Sequence, residues 1–366
     1  MNIFDLDTPA LIIDLDKVDT NIVEMANVAR HAGVRLRPHT KTHKIPELAH
    51  MQLAAGADGI TCAKVGEAEV MVDAGINDIL IAYPILGPMK WTRLAALRER
   101  ARIIVSLDSL EVAQGLGTVG VQGNGPLEIY VEVDTGHHRL GRAPGAPTVD
   151  LVRRIADVPG LEIIGLLTHA GHAYAAKSLA ERDVVVQREV EDLVMTQALC
   201  AEIGVDFPEI SVGSTPSARR EAQHAHDGVT EIRPGTYIFN DTAMVSLGVA
   251  TYDTCAAFIL ASVVSRPDRT RFVIDAGTKC FTSDGVGRPD WIKVAGWDDL
   301  SMEFTTEEHG VGVLDPSNGG RLEIGDKLML IPSHVCPVVN LFDTAYVVRG
   351  EEVLGQWVVK GRGKVR

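Results

Sequence analysis

Several features that mark other classes of protein are scarce or missing in this chain of 366 residues. It has five cysteines but no C-x-x-C pair, which argues against a disulfide framework or a zinc-ribbon site. It also lacks any run of about 18 apolar residues, which argues against a membrane-spanning helix. Because an odd, dispersed set of cysteines is typical of reduced thiols, we expect a cytoplasmic protein.

Positive charge is also in short supply. The chain has 35 lysines and arginines against 49 aspartates and glutamates, which gives a net charge of −14. Proteins that bind nucleic acid usually carry a basic face, so we expect no nucleic-acid partner. The opening MNIFDLDTPA has two acidic residues and no apolar core of a signal peptide, so we expect neither secretion nor a membrane partner.

The chain does have a regular alternation of short apolar runs and longer segments of helical period. Continuous apolar runs are typical of parallel strands that are buried on both faces. Eight strand-and-helix units in succession predict an α/β fold, a (β/α)8 TIM barrel. The eight runs are VRLRPH, GITCA, DILIAYP, RIIVSLD, LEIYVEVDT, LEIIGLLTHAG, EISVGS and EIRPGTYIFN.

The pattern changes after about Asn240. Short β-type runs with Gly, Pro and Asp turns between them predict a C-terminal all-β domain. We therefore expect a barrel over residues 16–245 and a β-domain over residues 246–366. An isolated strand within residues 1–15 is expected to pair with the β-domain.

Polar groups follow at least five of the predicted barrel strands, and chemistry in such barrels gathers at the C-terminal strand ends. The first strand leads into RPHTKTHK, which holds His39, Lys41, His43 and Lys44. The later strand ends supply Asp134 and Arg139, then His169, His172 and Tyr174, and finally the motifs GSTP and RPGTY. These side chains are expected to surround one ligand.

The motifs GSTP and RPGTY have the composition of an anion site. Glycine and hydroxyl groups at the start of a helix can bind a phosphate through backbone N–H groups, although a simple helix cap has the same composition. Phosphate sites often form after strands seven and eight of a barrel, which favours the binding role. The residues concerned are Gly213, Ser214, Thr215, Gly235, Thr236 and Tyr237.

Lys41 is a candidate for covalent chemistry. An amine that is partly desolvated and close to other cations loses its proton more readily, and the neutral amine can form a Schiff base. His39, His43 and Lys44 are close in sequence. The alternative is an ordinary exposed lysine.

His334 and Cys336 are candidates for a metal site because one residue separates them in SHVCP. If this segment is a strand, both side chains point to the same face. Imidazole and thiolate together suit zinc, and two ligands leave coordination positions open for water or substrate. The alternative is a buried cysteine beside a structural histidine.

The four motifs RPHTKTHK, DTGHHRLG, GSTP and RPGTY occur in this order. Together they resemble the fold-type III pyridoxal-phosphate enzymes, and within that group the D-threonine aldolase and D-serine dehydratase family, over essentially the whole chain. The resemblance implies a barrel of the alanine-racemase type, a β-domain that completes the site, and a homodimer.

The resemblance also implies roles for individual residues. Lys41 would hold pyridoxal 5′-phosphate as a Schiff base, with His39 and His43 as further catalytic candidates. Arg139 would lie beside the phenolic oxygen of the cofactor, and Arg233 is one candidate for its ring nitrogen. The two glycine-containing motifs would bind the phosphate, and His169 and Tyr174 would form a wall along the ring.

The family carries a two-residue metal site in its C-terminal domain. It is His-x-Cys with zinc in D-serine dehydratases and a hydroxyaspartate dehydratase, and His-x-Asp with manganese or magnesium in D-threonine aldolases. The pair His334 and Cys336 therefore implies zinc, with manganese or magnesium as the alternative. It also implies a lyase that dehydrates a β-hydroxy-D-amino acid to a 2-oxo acid and ammonia.

Three other functions remain open on the same fold. The first is retro-aldol cleavage to glycine and an aldehyde. The second is an amino-acid racemase, which would need a tyrosine base such as Tyr252 or Tyr346. The third is a cofactor-carrying protein without turnover.

Overall fold

The structure is a computed structural model that describes residues 1–288, 290–315 and 322–366. Its contacts divide the chain into two compact units, which we call the barrel unit and the β unit. The barrel unit consists of Val23–Lys41, Pro46–Gly235 and Gly363–Arg366. The β unit consists of Met1–Ile22, Thr42–Ile45 and Thr236–Arg362.

The barrel unit is built on eight parallel strands that pair in the order β2-β9-β8-β7-β6-β5-β4-β3. With strands numbered along the whole chain, they are β2 (Arg35–Leu36), β3 (Ile60–Cys62), β4 (Asp78–Ile81), β5 (Arg102–Leu107), β6 (Leu127–Glu132), β7 (Leu161–Leu167), β8 (Glu209–Val212) and β9 (Glu231–Ile232). A parallel bridge between His39 and Thr61 links the chain after β2 to β3 and closes the ring. The predicted barrel is confirmed.

Helices alternate with these strands. They are α1 (Leu15–Ala32), whose first part belongs to the β unit, and then α2 (Pro46–Ala54), α3 (Val65–Asp73), α4 (Pro88–Arg98), α5 (Leu110–Gln122), α6 (Ala146–Ile155), α7 (Leu179–Glu202) and α8 (Ala218–Glu221). Local chemistry sets several of their starts. Ser178 caps α7 by accepting the N–H of Glu181 at 3.1 Å, and Pro88 begins α4, where its missing N–H costs nothing.

Apolar side chains from neighbouring strands pack against one another in the barrel unit. Leu80, Ile104, Tyr130, Ile164 and Leu167 form one such cluster, to which β4, β5, β6 and β7 each contribute. Removal of this surface from water stabilises the parallel strands, each of which is too short to be stable alone.

The β unit contains a nine-stranded sheet and several short helices. Its strands are β1 (Ala10–Asp14), β10 (Ala257–Ser265), β11 (Arg271–Ile274), β12 (Lys293–Val294), β13 (Leu300–Thr305), β14 (Gly310–Leu314), β15 (Lys327–Ile331), β16 (Thr344–Arg349) and β17 (Glu352–Val358). Its helices include α9 (Thr242–Ser246), α10 (Thr278–Phe281) and α11 (Val335–Val339). The expectation of a C-terminal β-domain is confirmed, with the refinement that the domain is mostly rather than wholly β.

The strand β1 holds a central place in this sheet. It pairs antiparallel with β10 and parallel with β16, and Ile12 opposes Phe258 on one side and Tyr346 on the other. Ile12, Phe258, Leu260, Ile331 and Val348 belong to one buried cluster around it. The N-terminal segment is thus held by both backbone hydrogen bonds and apolar packing.

The described part of the chain contains no candidate membrane-spanning helix and no disulfide bond. No helix there combines the length and the apolar character that are needed to cross a membrane. The five cysteines are all free thiols, and four of them are buried.

A buried ion pair joins the segment directly after β2 to the neighbouring strand β9. The Arg37 guanidinium donates through Nε to Glu231 Oε2 at 2.8 Å, and it also pairs with Asp78. Ser211 donates its hydroxyl to Glu231 Oε1 at 2.6 Å. Burial would raise the pKa of Glu231, but Arg37 and Arg35 hold that pKa below its ordinary value. This pair therefore contributes stability above the ordinary carboxyl pKa and loses it as the pH falls through the lowered value.

We predict that Glu231→Ala strongly destabilises the protein because it removes the fully buried one of the two carboxylate partners of Arg37. The free energy of unfolding should fall by about 3–5 kcal/mol at neutral pH, measured by urea denaturation. Glu128→Ala is the matched control, since Glu128 pairs with Arg102 at 2.6 Å near the surface. Its loss should cost about 1 kcal/mol or less. Equal losses in the two variants would contradict this account.

Candidate active site

The segment after β2 places Lys41 at the C-terminal rim of the barrel unit. Lys41 lies in a 3-10 turn, Thr40–Thr42, and is half-buried. Thr40 fixes this turn by donating its hydroxyl to the Thr61 carbonyl at 3.0 Å. Since Thr61 belongs to β3, the lysine is held where the first and second barrel strands meet.

Two histidines lie beside Lys41 and remain neutral. Burial is the main reason that the pKa values of His39 and His169 lie well below the ordinary value, and Lys41 lowers both further. Arg233 lowers both as well, and Arg139 acts on His169. The barrel unit therefore gathers three cationic side chains around two uncharged imidazoles, an arrangement that suits an anionic ligand.

His169 also contacts the predicted phosphate turn. Its Nδ1 lies 3.4 Å from the Gly213 carbonyl, so Nδ1 carries the proton and donates it. The imidazole of His137 meets His169 edge-on at a centroid distance of 5.6 Å. Tyr174 follows in the 3-10 helix Gly171–Ala175 and is 41% exposed, so its role along a cofactor ring stays a prediction.

The turn Gly213–Thr215 requires glycine at its first position. Gly213 has φ of +116°, and a β-carbon there would lie 2.8 Å from Glu221 Oε2. Ser214 and Thr215 are buried. The Gly235 N–H donates to Thr215 Oγ1 at 3.2 Å, which joins the ends of β8 and β9. The turn leads into α8, which has only four residues, so the turn itself and not a long helix forms the candidate anion site.

Arg139 lies in the loop after β6 and is exposed. It acts electrostatically on His169 and on Glu132, the last residue of β6. Glu132 is buried and accepts the Ser106 hydroxyl at 3.2 Å, and burial raises its pKa. We did not single out Glu132 from the sequence, although its place at a strand end was a usable signal.

The last residues of the motifs RPHTKTHK and RPGTY belong to the β unit. His43 is fully buried there, accepts the Ile45 N–H at Nδ1 at 3.1 Å and packs edge-on against Phe239. This is the environment of a core side chain, and a catalytic role for His43 stays a prediction. Thr236 and Tyr237 begin a buried 3-10 turn, Thr236–Ile238.

Lys44 differs from Lys41 in its surroundings. It has a left-handed φ of +56°, and its Nζ donates to Asn340 Oδ1 at 2.9 Å within the β unit. This hydrogen bond to a neutral amide is consistent with a structural role for Lys44. The structure thus separates the two lysines of RPHTKTHK, and only Lys41 lies among the cationic groups of the barrel unit.

The pair His334 and Cys336 does not lie on a strand, and this part of the prediction is wrong. β15 ends at Ile331, and His334 is the N-cap of the short helix α11. The two side chains nevertheless reach each other, with a hydrogen bond between them. The start of the helix, and not an extended strand, therefore brings the side chains of His334 and Cys336 together.

Charged groups orient the imidazole of this pair. His334 Nδ1 bonds to Asp284 Oδ2 at 2.9 Å, which leaves Nε2 as the remaining ring nitrogen. Burial would lower the pKa of His334, but Cys336, Asp284 and Asp241 raise it to about 9. Asp241 is buried and accepts the Val335 N–H at 3.1 Å, and burial raises its pKa to about 6.

These contacts fit a metal site with two protein ligands. Histidines that bind metals usually donate their other ring nitrogen to a carboxylate, as His334 does with Asp284. No group of three or more His, Cys, Asp or Glu side chains within the described ranges is arranged to hold a metal ion. Asp284 stands 50 positions from His334, and no local sequence signal pointed to it.

We predict that replacing Lys41 changes the titration of the two neighbouring histidines. In the native protein, the imidazoles of His39 and His169 should stay neutral until the pH is well below their ordinary pKa of 6.5. Lys41→Ala removes a positive charge beside both, so both should protonate at higher pH. NMR of protein labelled with ¹³C-histidine would measure this. Lys64→Ala is the control and should leave both titrations unchanged; an unchanged titration in Lys41→Ala would refute the proximity.

Comparisons with known proteins agree with this geometry. The family model of the alanine racemase N-terminal domain matches residues 13–243, and that of a serine dehydratase domain matches residues 256–348. A D-threonine aldolase of Arthrobacter sp. is 35% identical over 98% of this chain and 93% of its own length. A D-threo-3-hydroxyaspartate dehydratase of a Delftia species is 32% identical over 96% of this chain and 97% of its own.

Solved structures give the same picture. The crystal structure of D-threonine aldolase from Filomicrobium marinum has a TM-score of 0.91 and 34% identity, covering 99% of this chain and 98% of its own. A cysteine-to-alanine variant of D-threo-3-hydroxyaspartate dehydratase in its metal-free form has a TM-score of 0.88 and 31% identity, with 98% of both chains covered. The chain therefore belongs to the D-threonine aldolase and D-serine dehydratase family and is an enzyme of this family of lyases.

Proposed function

We propose that this protein is a pyridoxal-phosphate- and metal-dependent lyase that acts on β-hydroxy-D-amino acids. The observation that carries the proposal is the group formed by Lys41, Arg139 and Arg233 around two neutral histidines at the rim of the barrel unit. A site with two guanidinium groups and one lysine amine suits a cofactor that carries both a phosphate and an aldehyde.

The cofactor would be held by residues of several strand ends. Lys41 would attach it covalently through its amine, and the turn Gly213–Thr215 would bind its phosphate together with Gly235, Thr236 and Tyr237. The glycine at position 213 supports this role, because no side chain fits between the turn and Glu221. When bound, pyridoxal phosphate supplies an electron sink for bonds at the α-carbon of an amino acid.

The metal would be held by His334 and Cys336, with Asp284 fixing the imidazole of His334. A Lewis acid with open coordination positions can bind a substrate hydroxyl group and stabilise the negative charge that develops on its oxygen. The soft thiolate of Cys336 favours zinc over manganese and magnesium. The metal-free form of the dehydratase relative supports a metal requirement in that relative, and by extension here.

Proton transfer from a substrate hydroxyl would fall to the two imidazoles, which are already neutral. His39 and His169 keep their imidazoles uncharged because burial and the adjacent cations disfavour protonation. Either imidazole can accept a proton from a substrate hydroxyl, whereas the Lys41 amine is the candidate for the α-proton. His169 Nδ1 is engaged by Gly213, which leaves Nε2 as the accepting atom.

We favour dehydration to a 2-oxo acid and ammonia over retro-aldol cleavage. The reason is Cys336, because the dehydratases of the family carry cysteine at this position and the D-threonine aldolases carry aspartate. Cleavage to glycine and an aldehyde is the second candidate, favoured by the 35% identity to the Arthrobacter D-threonine aldolase. Both reactions use the same substrate class and the same residues.

Product analysis with D-threonine would decide between the two reactions. Dehydration should yield 2-oxobutanoate and ammonia, whereas cleavage should yield acetaldehyde and glycine. A chelator should abolish either reaction and added zinc should restore it, since the metal would supply the Lewis acidity that both reactions use. Conversion of a D-amino acid to its L form that persists in chelator would instead establish a racemase.

We predict that Lys41→Ala abolishes covalent attachment of the cofactor while the fold survives. The visible absorbance of bound pyridoxal phosphate should be lost, and circular dichroism should remain native. Lys44→Ala is the matched control, because Lys44 lies three positions away and bonds to Asn340. If Lys44→Ala lost the absorbance and Lys41→Ala kept it, the two lysines would have to exchange roles.

We predict that Cys336→Ala removes the metal and leaves the cofactor in place. Elemental analysis should show metal loss, activity should disappear, and the cofactor absorbance should persist because Lys41 is unchanged. Cys200→Ala serves as the control, since Cys200 is a buried thiol at the end of α7. A fully active Cys336→Ala protein with its metal bound would overturn the metal site and the preference for a lyase.

A finer variant tests the softness of the ligand. Cys336→Asp supplies a hard oxygen in place of sulfur, so its metal preference should move from zinc toward manganese or magnesium. Competition between these metals, followed by elemental analysis, would measure the change.

A further inference from the structure

Two glutamates in the interior of the barrel unit face each other and take no part in the chemistry above. Glu189 lies in the middle of α7 and Glu221 ends α8, and both are 0% exposed. The two carboxyl groups lie close enough to share a hydrogen bond when one of them carries a proton. Within the described part of the chain, no backbone N–H or guanidinium group donates to any of their four oxygens.

Two carboxylates cannot both keep their charge in such a place. Where both groups are buried, the repulsion and the loss of hydration are too costly, and one proton converts the contact into a charge-assisted O–H···O bond. Burial accordingly raises the pKa of both groups. Arg233 faces both carboxyls and His224 faces Glu221, so the single remaining negative charge is partly balanced.

Glu221 of this pair packs against the predicted phosphate turn at Gly213. The space beside the Gly213 α-carbon is filled by Glu221 Oε2. Ser217 lies close enough to Glu221 to lower its pKa, and Ser217 Oγ accepts the Ser214 N–H at 3.2 Å and lies 2.8 Å from Ser214 Oγ. A continuous path of contacts therefore runs from Glu189 through Glu221 and Ser217 to Ser214.

We propose that Glu189 and Glu221 share one proton and, as positioning residues, hold the turn Gly213–Thr215 in the shape that binds a phosphate ester. The phosphate role of the turn rests on the proposed function. Loss of the shared proton at higher pH would place two negative charges side by side, one of them against the turn. The carboxyls would separate, the turn would shift, and phosphate affinity would fall.

The first test uses the protein without cofactor. A carboxyl with a raised pKa keeps a proton that the unfolded chain releases above its ordinary value of 4.5. Stability therefore falls as the pH rises, and one retained proton increases the unfolding constant about tenfold per pH unit until the folded protein releases it. Glu189→Gln keeps a hydrogen-bond donor beside Glu221 but has no such proton.

Urea denaturation between about pH 5 and about pH 8 would compare the variants. The native protein should lose stability with rising pH more steeply than Glu189→Gln. The difference should reach at most about a tenfold change in the unfolding constant per pH unit, which corresponds to one proton. Glu202→Gln, an exposed position at the end of the same helix, should keep the native slope. Equal slopes in the native protein and Glu189→Gln would overturn the shared proton.

The second test measures binding of pyridoxine 5′-phosphate, which carries the phosphate ester but cannot react with a lysine. Native protein and Glu189→Gln should bind it equally at low pH, and the native protein should then lose affinity with rising pH by about tenfold or more relative to the variant. An identical pH dependence would overturn the link to the turn and leave the proposed function standing. Absence of binding to the native protein at every pH would overturn the proposed function, whereas the slopes of stability would still report the shared proton.

Discussion

The ion pair between Arg37 and Glu231 is the contact on which the candidate site depends. Arg37 follows β2 and Glu231 lies in β9, two neighbouring strands of the barrel. Ser211 of β8 satisfies the second oxygen of Glu231, and Arg233 donates both to Ser211 and to the Thr168 carbonyl after β7. A buried charge is stable only when such partners are complete, so strands β2, β7, β8 and β9 are tied into one arrangement.

This network of ion pairs and hydrogen bonds connects the strand pair β2 and β9 to the residues of the candidate active site. Arg233 lies two positions beyond Glu231 and contributes to the low pKa values of His39 and His169. A chain with a net charge of −14 thus concentrates cations where its strands end. Such a concentration of like charge is unfavourable in isolation, and an anionic ligand would relieve it.

The stretch RPHTKTHK shows how one motif serves both units. Residues up to Lys41 belong to the barrel unit, and those from Thr42 to Ile45 belong to the β unit. Thr42 accepts a hydrogen bond from the Cys336 thiol at 3.3 Å, and Lys44 bonds to Asn340. Adjacent positions of one short segment are therefore fixed by different sets of partners, which explains why its two lysines have different surroundings.

Local sequence by itself determined the barrel, the mostly β C-terminal domain and the positions where polar residues follow strands. Apolar runs and turn residues are local signals, and parallel strands in sequence order leave little freedom in how they pair. The glycine of the predicted phosphate turn was visible in the same way. Its physical reason, the left-handed φ of Gly213 and its contact with Glu221, was not.

Only the tertiary structure decided which groups lie together and how they are oriented. Asp284 fixes His334 from 50 positions away, Glu189 meets Glu221 between two helices, and His334 and Cys336 meet at a helix start where extended geometry was expected. Burial and neighbouring charges set the protonation of these side chains, and both arise from chain segments that are distant in sequence. Residue types and spacing can therefore identify the candidate groups, but their protonation states depend on the folded chain.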